Sequence, residues 1–244
     1  MTDPILTLNR TKPLDFPEKT RPFRIYAALT NACNRACPWC SACASPQGRT
    51  FLTLSALKKH IPETGTFEVQ LEGGEPFLHP DFWYFVRFCV DHRRCKKIVV
   101  VTNGTTLPRD ETKLEKWLDR FGDAFTLKLS INHYLLERDT GLIDLAKLLQ
   151  EVISRSDGNK ALVLNVRLRK NTPEDVETIQ KRIEDSGLTP HANIFYLQRY
   201  GYAENEDSWD EPYIIEDNFI LLNPDGKSFK TDMVERSKAM RKLP

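Results

Sequence analysis

The stretch Phe67-Glu68-Val69-Gln70-Leu71-Glu72-Gly73-Gly74-Glu75-Pro76 sets the reading of the whole chain. Its first six residues alternate apolar with acidic or amide side chains, the period of two expected of a β-strand. Gly73, Gly74 and Pro76 then break the strand into a turn. A parallel strand covered on both faces reads as almost wholly apolar. This one does not, so one of its faces meets helices and the other meets something polar.

The same alternation recurs downstream. In Phe125–Ser130, Lys128 and Ser130 alternate with Leu127 and Leu129. In Leu162–Leu168, Asn165 and Arg167 alternate with Leu164, Val166 and Leu168. Buried polar groups without partners are costly, so the polar set should surround a cavity holding water or a polar ligand. Further strands are expected at Phe23–Thr30, Lys97–Thr102 and Asn193–Gln198. Helices are expected near 54–61, 80–94, 112–121, 141–155 and 173–186. Phe82, Phe85, Val86, Cys89 and Val90 share one helix face, as do Leu114, Trp117, Leu118 and Phe121. Thr172 reads as an N-cap, with Pro173 in the first turn, Asp175 three residues after the cap and Gly187 past the end. Strand–helix alternation of this kind predicts a parallel sheet under helices. The expected class is α/β, a partial (β/α)6 barrel of TIM-like type with a polar interior.

Three segments follow: an N-terminal arm over 1–22, a barrel core over 23–200 and an extension over 201–244 packed on the core. The arm is dotted with Pro4, Pro13, Pro17 and Pro22. In the extension, 202–212 reads as acidic loop and Tyr213–Leu222 as extended. Asn223-Pro224-Asp225-Gly226 is a turn signal, Lys227–Phe229 a returning strand and Asp232–Arg241 a helix. The expectation is a C-terminal hairpin and helix.

With 244 residues, 40% hydrophobic and 28% charged, the composition is that of a globular protein. A net charge of +1 makes no demand for a nucleic-acid or anionic-membrane partner. No leader-like or membrane-spanning run is visible, so a cytoplasmic location is expected. There thiols stay reduced, and the 6 cysteines point to metal or catalysis before disulfides.

The densest chemistry is Cys33-Asn-Arg-Ala-Cys37-Pro-Trp-Cys40, followed by Cys43. Such a run of thiolates on one loop can wrap an iron–sulfur cluster. Zinc is the rival, but a closed zinc site favours two separated ligand pairs, and no second pair has that spacing. Cys37, Cys40 and Cys43 form an alternative CxxCxxC run. Four ligands including Cys43 would close a cluster and suit an electron carrier. Cys89 and Cys95 look helical, Cys89 on the apolar stripe and Cys95 near the helix end. Gly73 and Gly74 permit close backbone approach to a ligand, Glu75 can accept a charge-assisted hydrogen bond, and Pro76 stiffens the turn. His79 reads as a possible helix cap.

In these residues the sequence resembles the radical S-adenosylmethionine (SAM) superfamily. The resemblance lies in CxxxCxxC at Cys33, Cys37 and Cys40 with Trp39 before the last cysteine, in GGEP at Gly73–Pro76, and in Thr102-Asn103-Gly104. Each motif follows a predicted strand, and the span is roughly 23–200. The resemblance implies a [4Fe-4S] cluster on Cys33, Cys37 and Cys40, with one iron left open to the amino and carboxylate groups of SAM. It implies reductive cleavage of SAM to a 5′-deoxyadenosyl radical that abstracts hydrogen from a small-molecule or peptide substrate. It also implies a reducing partner such as flavodoxin or ferredoxin. Glu75 is implied to meet the methionine ammonium, Lys128 or Arg167 its carboxylate, and Ser130 or Asn132 the ribose. Asn103 belongs to the same site, and Tyr196 or Phe195 would lie near the adenine. A non-enzymatic electron carrier using Cys43, and a zinc-dependent structural module, are the competing functions.

Overall fold

The computed structural model describes residues 22–169, 172–189, 191–205 and 218–244. Seven strands form one sheet: β1 (Phe23–Thr30), β2 (Phe67–Gly73), β3 (Cys95–Thr102), β4 (Ala124–Ile131), β5 (Asn159–Leu168), β6 (His191–Tyr196) and β7 (Phe219–Leu222). Their order is β6-β5-β4-β3-β2-β1-β7, and every pairing is parallel. The sheet curls into a half-barrel. Parallel neighbours need crossovers, and helices supply them. These are α1 (Leu54–Lys58), α2 (Phe82–Asp91), α3 (Glu111–Leu118), α4 (His133–Arg138), α5 (Leu142–Arg155), α6 (Pro173–Asp185) and α7 (Met233–Arg241).

The alternation sorts the two faces as expected. On β5, Leu162, Leu164, Val166 and Leu168 are buried, whereas Asn165 and Arg167 are half-buried. On β4, Leu127 and Leu129 are buried, and Lys128 and Ser130 are half-buried. The apolar set joins Phe85, Leu114, Leu145, Leu149 and Ile179 of the helices in one core. Each fully buried side chain of this size contributes about 1.5–3 kcal/mol by leaving water. The polar set is left on the concave face.

Three expectations change. First, the outgoing arm of the C-terminal hairpin is also a seventh parallel strand of the sheet: β7 pairs with β1, Arg24 opposite Phe219 through Ala27 opposite Leu222. The turn at Asn223–Gly226 forms, with Gly226 at φ +83°, and the chain returns as a short hairpin: Asn223 N donates to Lys227 O, Phe229 N to Leu221 O and Leu221 N to Lys230 O, around the Leu222–Ser228 bridge. Apolar Phe-Ile-Leu-Leu suits a place beside β1 better than an exposed ribbon. Second, Thr172 occupies the N-cap position of α6 without a side-chain capping bond, and Asp175 turns back to Arg169 instead. Third, Cys95 opens β3 rather than ending a helix. The expected helix over Asp232–Arg241 forms as α7, with Asp232 as its N-cap, whose Oδ1 accepts from Glu235 N at 2.9 Å. Of the predicted arm only Pro22 is described, and residues 206–217 of the extension lie outside the described residues. No helix among the described residues is long and apolar enough to cross a membrane.

Candidate active site at the C-terminal end of the sheet

The cysteine loop leaves β1 and is tied at its base. Cys33 N donates to Ser45 O at 2.9 Å, and Ser45 N donates to Asn31 O at 3.1 Å. Inside the loop, Cys40 N donates to Cys37 O and Cys43 N to Cys40 O, each at 3.1 Å. Asn31, buried at the loop entry, accepts from Thr50 N through Oδ1 at 2.9 Å.

The glycine turn after β2 lies directly on this base. Gly74 N donates to Thr30 O at 2.7 Å, and Glu75 N donates to Ala32 O at 2.9 Å. A Cβ on Gly74 would stand 2.0 Å from Ala32 O, so only glycine permits the approach. Gly73 has φ +128°, a backbone region closed to other residues. Pro76 then opens a short 3₁₀ turn, Pro76–Leu78.

Glu75 is fully buried and already well bonded. Oε1 accepts from Thr102 Oγ1 at 2.8 Å, and Oε2 accepts from Asn103 N at 2.9 Å. Burial pushes its carboxyl up to about 7 despite those bonds. Asn103 Nδ2 in turn donates to Asn34 Oδ1 at 2.8 Å and approaches Cys33 Sγ at 3.8 Å. The loops after β1, β2 and β3 thus form one hydrogen-bonded unit.

The three thiols fit a cationic centre. Burial pushes Cys33 and Cys37 up to about 12, and neighbouring cysteines push in the same direction. Burial raises Cys40 as well. A polynuclear iron centre offsets that cost, because ligation deprotonates the thiol outright. Arg35 Nε is buried in the same loop with no hydrogen-bond partner among the described residues, a donor left for a group not belonging to the chain. No three His, Cys, Asp or Glu side chains among the described residues converge tightly enough to hold a single ion. Cys43 is buried, takes φ +47° and directs Sγ toward Ser237 O of α7 at 3.8 Å.

A model of the radical SAM superfamily matches residues 28–211. This chain belongs to the radical SAM superfamily of enzymes. The superfamily uses SAM with an iron–sulfur cluster. Curated relatives include the GTP 3′,8-cyclase of Photorhabdus laumondii, 30% identical over 37% of this chain and 28% of its own length. The S-adenosylmethionine-dependent nucleotide dehydratase RSAD2 of Siniperca chuatsi is 27% identical over 59% of this chain and 37% of its own. The subtilosin biosynthesis protein AlbA of Bacillus subtilis is 26% identical over 45% and 24%. The chain therefore spans less than two fifths of these relatives. Among solved structures, Streptococcus suis SuiB bound to S-adenosylmethionine superposes with a TM-score of 0.56 at 17% identity, covering 80% of this chain and 44% of SuiB. SuiB bound to its precursor peptide SuiA gives the same TM-score at 16% identity.

The remaining residues expected in a radical SAM site are spread over the concave face. Lys128 Nζ donates to Gln70 Oε1 at 2.9 Å, and Gln70 Nε2 donates to Glu72. Arg167 stands over the Phe195 ring at 4.8 Å and donates to Val166 O. Ser130 is half-buried near the end of β4. Asn132 is buried, and its Oδ1 is committed to capping α4 through Leu135 N at 2.9 Å. Tyr196 closes β6. His79 does act near a helix, as the C-cap of the 3₁₀ turn. Its Nδ1 accepts from Asp81 N at 3.0 Å and its Nε2 lies 2.9 Å from Leu52 O, which assigns a neutral ring protonated at Nε2.

Trp39 lies against His133, ring centroids 4.7 Å apart and planes tilted by 39°, and Tyr134 meets Trp39 edge-on at 5.8 Å. Tyr134 OH also donates to Ala36 O at 3.0 Å. Sequence reading passed over α4 and so left His133 and Tyr134 without roles. The signal was there, since Asn132 followed by Leu135 and Leu136 is a cap before an apolar pair. Arg35 and Arg236 had no local signal at all.

Proposed function

We propose that this chain is a radical SAM enzyme holding a [4Fe-4S] cluster on Cys33, Cys37 and Cys40, with SAM on the Gly73–Pro76 turn. Bound together, reduced cluster and SAM supply a 5′-deoxyadenosyl radical that takes a hydrogen atom from substrate. The observation that carries the reading is the joining of the two motifs: the Gly74 and Glu75 amides bond to the carbonyls that lead into Cys33. Cysteine loop and glycine turn act on one small volume.

The chain's own residues then divide the work. Cys33, Cys37 and Cys40 give up protons to bind iron, leaving one iron without a protein thiolate. The orientation of Cys43 toward α7 supports leaving it out of the ligand set. Asn103 Nδ2 approaches Cys33 Sγ, a contact of the kind that tunes a cluster. Glu75, preoriented by Thr102 and Asn103, accepts from the methionine ammonium. Lys128 or Arg167 meets the carboxylate. Ser130 or Asn132 meets the ribose, Asn132 through its amide nitrogen. Phe195 or Tyr196 packs near the adenine. The half-buried polar face beneath receives the substrate.

The substrate we infer is a small organic molecule or a peptide, with flavodoxin or ferredoxin as electron source. Anaerobic reconstitution with iron and sulfide, reduction with dithionite and incubation with SAM test the reading. Formation of 5′-deoxyadenosine, with cluster content unchanged in Cys43→Ala, is the expected result. Zinc in place of iron and sulfide, or an intact cluster that leaves SAM uncleaved with every candidate substrate, would overturn it. Deuterium transfer from labelled candidates into 5′-deoxyadenosine identifies the substrate.

A further inference from the structure

We propose that Arg169, Asp175 and His133 form a proton-linked positioning array for the cysteine loop, in which protonation of His133 closes its gap to Asp175 and alters the surface on which Trp39 rests. Asp175 is 3% exposed and pinned. Its Oδ2 accepts from Arg169 N at 3.1 Å and Arg169 Nε at 2.8 Å, and its Oδ1 accepts from Arg169 Nη2 at 2.6 Å. His133 Nδ1 is buried with no hydrogen-bond partner among the described residues and stands 3.4 Å from Asp175 Oδ2. That separation is too long for a charge-assisted bond, which settles at about 2.8 Å.

The two partners differ in freedom. Three bonds from Arg169 prevent the carboxylate from swinging, so the imidazole is the group that moves. The charged groups facing it are Asp175 on α6, Arg169 after β5, and Glu137 and Arg138 on its own helix. Two are acidic and two basic, which leaves burial against the Asp175 contact as the deciding balance. Burial holds His133 below its ordinary 6.5, so it is neutral at neutral pH and takes a proton from solvent on acidification. The ring that moves or charges is the one in tilted contact with Trp39, centroids 4.7 Å apart. Trp39 lies between Cys37 and Cys40 in the chain, so the displacement reaches two of the three thiols. His133 and Asp175 are positioning residues in this scheme and touch neither substrate nor cofactor.

The first test uses the cluster-free full chain. Tryptophan emission is followed from about pH 8 to pH 5, across the range where histidine titrates. Because imidazolium quenches an indole in contact with it, emission should fall on acidification. That component should be lost in both Trp39→Phe and His133→Phe, and its midpoint should move to lower pH in Asp175→Asn. His133→Phe keeps an aromatic ring against Trp39, so a merely structural role would leave its fold and cluster content intact. Histidine ring NMR of the same samples follows the proton directly. No pH-dependent emission from Trp39, or the same response in His133→Phe, overturns the array.

The second test rests on the iron–sulfur reading above. In reconstituted protein the cluster's midpoint potential should rise as pH falls, and this slope should flatten in His133→Phe. A flat potential in the unaltered protein defeats the link to the cluster. Failure to load a cluster would count against the functional reading alone, since the emission response needs no iron.

Discussion

Arg236 of α7 reaches onto the concave face of the sheet and pairs with Glu72 of β2, Nη1 to Oε1 at 2.7 Å. Side chains at this pair are 15% and 17% exposed, so both charges are largely out of water. Arg236 Nε also donates to Asn223 Oδ1 at 3.1 Å, which fixes the guanidinium in the turn after β7. Glu72 directly precedes Gly73, so the last helix is bonded to the strand that presents the glycine turn. Removing one partner strands the other charge. Arg236→Met should lower stability by about 2 kcal/mol, read from the urea midpoint. Replacing Glu72 by Gln as well should recover part of that loss, and an additive double variant would show that the pair is not coupled.

Gly74→Ala drives a methyl group into Ala32 O. The turn must then retreat from the cysteine loop, and a retreat of about 1 Å at a reacting centre costs roughly 10²-fold in rate. SAM cleavage should fall by that order while secondary structure, followed by circular dichroism, stays unchanged. Full activity in Gly74→Ala would contradict the close approach.

Glu75 gives a pH dependence whose sign follows from its environment. Its ordinary value of 4.5 is raised to about 7 by burial. Between those values the folded cluster-free chain holds a proton that the unfolded chain releases. Stability is therefore fully present below about 4.5 and is lost as pH rises to about 7, by about 3 kcal/mol. On the proposed reading SAM binding should show the opposite trend, because Glu75 would accept from the ammonium as a carboxylate. Affinity should fall up to tenfold for each unit below about 7, measured by calorimetry. Glu75→Gln should bind weakly with no such slope.

The free thiols should react in a definite order. Cys33 and Cys37, pushed up to about 12, carry almost no thiolate at neutral pH. Cys95 is half-buried, and a hydrogen bond from Cys89 lowers it. Iodoacetamide on the cluster-free protein should label Cys95 first and Cys33 and Cys37 late, as read by peptide mass spectrometry. Early labelling of Cys37 would mean that the loop opens without its metal.

The barrel was legible because its information is local. Alternation over Phe67–Glu72 or Leu162–Leu168 needs only a period of two, and the observed strands differ from the expected ones mainly at their ends. The three motifs were visible for the same reason, each being a few contiguous residues after a strand. What escaped depends on contacts distant in sequence. Nothing near Phe219 says that its strand lies beside β1, and nothing near Arg236 names Glu72. Asp175 looked like a helix-start residue by position, yet the arginine that claims it lies before the helix. Lys128 was expected at the SAM carboxylate, and in the fold it bonds Gln70, which in turn bonds Glu72. The short α4 was missed because six residues show no period and its one signal, the cap Asn132, was read as a ribose contact instead.

The placement of β7 has a consequence for how the protein is made. Without it, β1 would be an edge strand, and the segment feeding the cysteine loop would expose one row of backbone donors and acceptors. The neighbour that covers that row is among the last parts of the described chain to leave the ribosome. Contacts so far apart in sequence form late and slowly. A nascent chain halted before Phe219 would present cysteines on an unfinished support, with a sticky strand beside them. On the proposed reading, cluster insertion is thereby expected to follow completion of the sheet, and premature termination to yield aggregation-prone protein without a cluster.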